Sequence, residues 1–279
     1  MLYLDNAATT PLLPEVRKVM INYMVDNFGN PSSIYKIGRM NKIAVEEARK
    51  SIAKTIGACP DDIFFTSGGT ESDNWVLESA AESATESDSA HIIVSAIEHP
   101  AVINKCIQLK KRGCDVDYIK TNKNGIINTD DLISKIRDDT KLISVMLVNN
   151  EIGTIQPVKN VCNIAAEYAI PVHTDAVAAY GHIPVNVKEL GVDYLSVSAH
   201  KIGGAKGTGF LYAKAANINP YIYGGGQEKG KRSGTENVAG IMGLAKAAEI
   251  AHEKLDSRIE EENITKNYIT NRILREIKG

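Results

Sequence analysis

The chain has 279 residues, 43% of them apolar and 24% charged, with a formal net charge of −2. Those values describe an ordinary globular chain that can bury a sizeable core, and the near-neutral balance gives no electrostatic reason to expect nucleic acid or an anionic membrane as a partner. No apolar run approaches the roughly 20 residues that cross a bilayer, and Met1-Leu2-Tyr3-Leu4-Asp5 lacks the basic flank and long apolar stretch of a secretion signal, so the expected location is cytoplasmic.

In chain order, β-branched runs predict strands over 63–66, 91–97, 115–119, 142–148, 170–174, 194–198 and 209–213. Between them, 3.6-residue periodicity predicts helices over 72–84, 100–112, 129–137 and 158–168. Such alternation means an α/β fold with a mostly parallel seven-stranded sheet covered by helices on both faces. Sheets of this kind bind ligands at the carboxyl ends of their strands. Residues 78–89, rich in Ser, Ala and Glu, read as ending in a solvent loop. From 236 to 278 the pattern is nearly all helical and reaches the last residue without a stop signal. Cys59, Cys106, Cys114 and Cys162 show no CxxC spacing, which argues against a zinc or redox motif and for reduced, mostly buried thiols.

The residues that carry chemistry cluster at the expected strand ends. Lys201 follows the apolar run 193–197 and precedes a glycine-rich turn, and Asp175 ends the apolar stretch 170–174. A lysine able to form a Schiff base and a carboxylate able to hold a pyridinium nitrogen are the minimum equipment for pyridoxal 5'-phosphate (PLP). Lys206 competes for the Schiff-base role, but Gly203–Gly207 reads as a solvent turn. Ser67-Gly68-Gly69-Thr70-Glu71 joins a strand to a helix. Such a start suits a phosphate, or else forms a capping box of Thr70 with Asp73.

His99, between strand and helix, is placed to lie on a cofactor ring or to shuttle a proton as a catalytic residue, or is a loop histidine bonded to backbone. His91, His182 and His252 take only the second reading. His173 shares a strand face with Asp175 and belongs one layer behind it. Asn149 and Asn150 sit at a strand end, as turn formers or as amides for a cofactor hydroxyl or substrate carboxylate. Gly225–Lys231 fits GxxxxGK, but Arg232 stands where the magnesium-binding Ser/Thr belongs and no strand leads in, so nucleotide binding is rejected. The segment 223–235 is then a mobile loop or one that contacts an anion in a neighbouring site.

Taken together, the segments Tyr3–Pro11, Phe28–Ser33, Thr66–Asn74, Glu98-His99, Val148–Gly153, His173–Ala176, Ser198–Lys201 and Arg232–Thr235 closely resemble the cysteine desulfurases of the NifS/IscS type, PLP enzymes of the class V aminotransferase superfamily. The resemblance implies that Lys201 binds PLP covalently, Asp175 pairs with the pyridine nitrogen and His99 stacks on the ring. It gives Gly69, Thr70, Ser198 and His200 to the phosphate, joined by Thr235 from the second subunit of a homodimer, Asn150 to the cofactor oxygen and the substrate carboxylate, and Asn6 to the substrate. The implied reaction removes sulfur from L-cysteine, leaving alanine and a persulfide for a sulfur-acceptor protein, as in iron–sulfur cluster assembly; no metal is implied.

The implied organisation is an N-terminal arm at 1–15, a PLP-binding large domain at 16–250 and, at 251–279, the start of a long helix leading to a small domain that this chain lacks. The chain departs from the family at Ala178, where a Gln usually contacts the cofactor, and at Gly203 and Ala205, which imply a looser loop after Lys201. The cysteine-bearing loop of the family is not in this sequence, so sulfur transfer by this chain alone is expected to be incomplete. Selenocysteine lyase or another class V lyase, and a non-catalytic PLP-binding homologue, are the alternatives.

Overall fold

Alternating apolar residues along seven short strands assemble a single sheet in the computed structural model, which describes residues 2–83 and 90–277. The strands are β1 (Ile63–Thr66), β2 (His91–Ser95), β3 (Asp115–Ile119), β4 (Thr140–Ser144), β5 (Val172–Asp175), β6 (Tyr194–Ser198) and β7 (Gly209–Ala213), in spatial order β1-β7-β6-β5-β4-β2-β3. Strands β3, β2, β4, β5 and β6 pair in parallel, and β7 is antiparallel to both β6 and β1. The expected mostly parallel sheet is therefore present. Its antiparallel member follows from residues 199–208, a connection too short for the crossover that a parallel pair requires.

The sheet is buried on both faces by the period-2 alternation of its side chains. Phe64, Ile92, Val94, Leu142 and Leu211 point to one core, with Trp75, Val76, Val102 and Leu109 of helices α3 (Gly69–Glu82) and α4 (Pro100–Lys111). Ile63, Phe65, Ile93, Ile143 and Phe210 point to the other. There they meet α1 (Pro14–Val25), α2 (Lys36–Thr55), α5 (Thr129–Lys135), α6 (Val158–Glu167) and α8 (Val238–Glu253), through Val16, Ile52, Leu132, Val161 and Leu244 respectively. A one-turn helix, α7 (Val187–Leu190), precedes β6, and α9 (Leu255–Glu276) follows α8.

Several boundaries differ from expectation for identifiable reasons. Strand β2 ends at Ser95 and β4 at Ser144 because the Glu98 carboxylate, rather than a strand carbonyl, accepts the Met146 N–H at 2.6 Å. The long C-terminal helix is broken at Lys254 (φ −100°, ψ 10°). Helix α8 is mostly buried while α9 has no buried residue, so the two have different apolar faces to satisfy. Helix α3 begins at Gly69, three residues early; residue 84 of the expected helix and 84–89 of the expected loop lie outside the described residues. The cysteines are also more varied than expected: Cys106 and Cys162 are buried, Cys114 is intermediate and Cys59 is exposed. His91 is no loop residue either, lying buried in β2 with Nδ1 2.8 Å from the Thr140 hydroxyl.

One buried ion pair ties the far loop to this frame. Arg49 on α2 pairs with Glu228 through two hydrogen bonds of 2.8 Å and donates to the Ile63 carbonyl at 2.7 Å. Glu228 also accepts the Phe65 N–H at 2.9 Å. Removing the Glu228 charge leaves the buried Arg49 with only the half-exposed Glu46 as counter-charge, at 3.2 Å. Glu228→Gln is expected to destabilise the fold by about 3–5 kcal/mol, read as a lower denaturant midpoint at unchanged slope.

Candidate active site

The carboxyl ends of β2, β4, β5 and β6 and the start of α3 surround a cavity of about 460 Å³. Its walls include Gly68, Gly69, Thr70, His99, Met146, Asn150, Asp175, Ala178, Ser198, His200 and Lys201. Residues separated by more than 130 positions in the chain thus share one space. The order β4-β2-β3, with β3 outside β2, makes the crossover that opens a cleft at strand ends.

Helix α3 enters this cavity at Gly68, whose φ of +146° suits only glycine and whose lack of a side chain leaves the helix start without a side-chain cap. A Cβ on Gly69 would come within 2.6 Å of Val177 Cγ2. The expected capping box is not formed; instead Glu71 reaches back to the Ser67 N–H at 2.8 Å while Asp73 is buried beneath the helix. Backbone donors, the helix dipole and the flanking Ser198 and His200 make this corner a fit for a phosphate.

Asp175 is the last residue of β5 and is 4% exposed. The Val177 N–H donates to its Oδ1 at 2.8 Å. Burial raises its pKa, and the Val177 donor, His99 and Lys201 act in the opposite sense. Lys201, at the end of the turn after β6, donates to the Ala8 carbonyl at 3.0 Å and to that of Ala7. Burial lowers the pKa of its amine below the ordinary lysine value, opposed by Asp175, Asp5 and Glu151. A neutral amine is thereby favoured at lower pH than on a free lysine. Lys206 sits in an exposed turn as expected and also lines the edge of the same cavity.

His99 is the N-cap of α4, its Nδ1 accepting the Ala101 N–H at 3.1 Å. In the neutral ring that bond puts the proton on Nε2. Asn150 lines the wall and donates to Glu151 at 2.9 Å, while Asn149 folds the turn by accepting the N–H groups of Glu151 and Ile152. Asn6 does not line the cavity, although Ala8 and Thr9 do. Thr235 lines a neighbouring cavity of about 190 Å³ that shares Ser67 and Gly207 with the first.

The loop after Lys201 is held more firmly than its composition suggests. Thr10 donates to the His200 carbonyl through both N–H (2.9 Å) and hydroxyl (2.8 Å) and accepts the Gly203 N–H at 2.7 Å. At φ +83°, Gly203 packs on Leu13, a contact that a larger residue would disturb. In the 223–235 loop, Lys231 donates to the carbonyls of Ala216 and Ile218 at 2.6 Å, and Arg232 pairs with Glu71 at 2.7 Å. Both cations are thus engaged within the chain.

His173 lies behind Asp175 as expected, and what sequence patterns did not show is the set of polar partners around it. His173 is fully buried between Ser144 Oγ (2.8 Å, to Nδ1) and Ser196 Oγ (3.0 Å, to Nε2). Glu98 accepts from the Ser95 hydroxyl at 2.5 Å, and burial pushes its pKa up to about 8.

This fold and this site define a class: the chain belongs to the aminotransferase class-V family, which matches residues 2–279. Within it the chain belongs with the cysteine desulfurases. It is 50% identical to "Cysteine desulfurase IscS" of Methanosarcina thermophila over 98% of this chain and 66% of that protein. It is also 50% identical to the protein of the same name from Dictyoglomus turgidum, over 99% of this chain and 70% of that one. The chain therefore spans about two thirds of the length of these relatives. Among solved structures, a "NIFS-LIKE PROTEIN" superposes with a TM-score of 0.95 at 40% identity, covering 98% of this chain and 76% of the other. A second, described as "SspA in complex with cysteine", gives 0.86 at 40% identity over 89% and 72%.

Proposed function

We propose that this chain is the PLP-binding part of a homodimeric cysteine desulfurase that takes sulfur from L-cysteine and leaves alanine. One observation carries the reading: an amine with a lowered pKa and an enclosed carboxyl open into the same cavity, beside a glycine-lined helix start. When bound there, PLP supplies an electron-withdrawing ring that stabilises negative charge at the substrate α-carbon.

The chain's own residues do the rest. Lys201 anchors the cofactor covalently and, once free, moves a proton at the substrate α-carbon with its unprotonated amine. Asp175 holds the proton of the pyridine nitrogen. His99 lies against the ring, its position set by the Ala101 N–H. Gly69, Thr70, Ser198 and His200 hold the phosphate, with Thr235 of a second copy reaching the same group. Asn150 orients the substrate carboxylate, and Asn6 takes part through movement of the N-terminal segment, whose Ala7 and Ala8 carbonyls now accept from the Lys201 amine. The divisions 1–15, 16–250 and 251–279 follow the same reading, as arm, cofactor domain and connecting helix.

None of the four cysteines lines the cavity, and burial pushes the thiols of Cys106 and Cys162 up to about 12. Such thiols are poor sulfur acceptors at neutral pH. The persulfide therefore forms on a thiol brought in from outside this cavity, such as that of a sulfur-acceptor protein. Among the described residues no helix is long and apolar enough to cross a membrane, and we place the reaction in the cytoplasm.

Purified protein loaded with PLP tests the proposal: borohydride fixation followed by peptide mapping should mark Lys201, and L-cysteine with a small thiol acceptor should yield alanine. Bound PLP without alanine would favour the non-catalytic homologue, and alanine from L-selenocysteine alone would favour the lyase. Ala178 lines the cavity where the family usually has a Gln. Restoring a donor adds one hydrogen bond of about 0.5–1.5 kcal/mol, so Ala178→Gln is expected to tighten PLP binding roughly two- to tenfold. Equal dissociation constants by fluorescence titration would show that the donor does not reach the cofactor.

A further inference from the structure

Asp73 on α3 and Asp175 on β5 are two enclosed carboxyl groups that line the same cavity, 1% and 4% exposed. Their surroundings are unequal. Asp175 receives the Val177 N–H and faces His99, Lys201 and the cavity. Asp73 Oδ1 is buried with no hydrogen-bond partner, and only the nearby Ser196 hydroxyl favours its ionisation. The basic group facing Asp73 is His173, with Nε2 at 3.5 Å. Burial holds that imidazole down to about 3, so it is neutral and offers no counter-charge. Glu98 and Asp175, both acids, act on Asp73 as well and oppose its ionisation.

We propose that Asp73 is a positioning residue that stays protonated through the working pH range and so reserves the negative charge of the pair for Asp175. Two neighbouring carboxylates in a dry site do not ionise together, and the proton goes to the one with fewer donors. It sits on Oδ1, facing His173, where it removes the repulsion that would otherwise weaken the hold of Asp175 on a pyridinium. The inference rests on the PLP reading above and assigns to Asp73 a duty distinct from helix capping.

The sign of the pH effect follows from the direction of the shift. A folded-state pKa above the unfolded value means the folded chain keeps a proton that the unfolded chain loses. The parent is then destabilised progressively as pH rises from about 4 toward the folded pKa. Asn keeps the shape and neutrality of the protonated acid and carries no such penalty. In the PLP-loaded protein, the folding equilibrium of Asp73→Asn should therefore gain progressively on the parent as pH rises above about 4, by up to about tenfold per pH unit, with PLP affinity at pH 7 unchanged. Asp73→Ala should weaken PLP binding, since it removes the shape and the hydrogen-bonding group that Asn retains.

A pH-independent difference between Asp73→Asn and the parent would overturn the proposal. Should the Asn variant fail to fold, the parent labelled with carboxyl-13C aspartate decides by NMR. An Asp73 carboxyl still protonated at pH 7 supports the assignment, and one ionised by pH 5 overturns it. Absence of a PLP absorbance band in the parent would instead indict the cofactor reading, so the two failures are distinguishable.

Discussion

Lys201→Ala should fold, take up PLP reversibly and release it on gel filtration, with no borohydride-stable label and alanine formation reduced by roughly 10²–10⁴-fold or more. The fold survives because the Lys201 amine bonds only to the Ala7 and Ala8 carbonyls, and no core contact is lost with it. Those charge-assisted bonds are worth about 1.5–3 kcal/mol when intact, less here because the amine is partly solvated. The N-terminal segment should accordingly loosen without the sheet melting, a change that limited proteolysis would register. Covalent loading of the parent should also rise with pH earlier than for a free lysine, since burial favours the neutral amine. A label that persists in Lys201→Ala and maps to Lys206, which shares the cavity, would reassign the anchoring amine.

Asp175→Asn should keep its fold and lose its hold on the cofactor. An Asn carbonyl can still accept the Val177 N–H that now bonds Oδ1 at 2.8 Å, so the strand end is undisturbed. What disappears is the charge opposite the pyridine nitrogen. Removing one partner of an enclosed ion pair costs about 3–5 kcal/mol, which corresponds to roughly 10²–10⁴-fold weaker PLP binding. Asp175→Glu would retain the charge but push a longer side chain toward the cavity, and partial recovery of affinity in that variant would separate charge from fit. An Asp175→Asn protein that binds PLP as tightly as the parent would mean the ring nitrogen is held elsewhere.

Much of this architecture was legible from residue patterns because its signals are local. Four of the seven strands have the expected limits, since short apolar and aromatic runs flanked by turn residues report directly on a strand. Lys201 and Asp175 could be picked out for the same reason: each ends an apolar run, and strand ends are where such folds bind ligands. Helices α1 and α2 were not among the expected elements. Helix α2 nevertheless carries a readable stripe at Val45, Ala48, Arg49 and Ile52, interrupted by the arginine that pairs with Glu228 across 179 residues. A charged residue on a buried face obscures amphipathic periodicity until its partner is known.

Amino-acid order alone established the α/β alternation, the apolar strands and the short list of groups with suitable chemistry, because each depends on side chains a few positions apart. Only the folded chain decided that Lys201, Asp175, His99 and the α3 start share one cavity, that Asp73 lies under the helix instead of capping it, and that Arg49 meets Glu228. Proton affinities belong to this second group. Burial and the nearest charges set them, and both arise when distant segments are packed together and water is excluded.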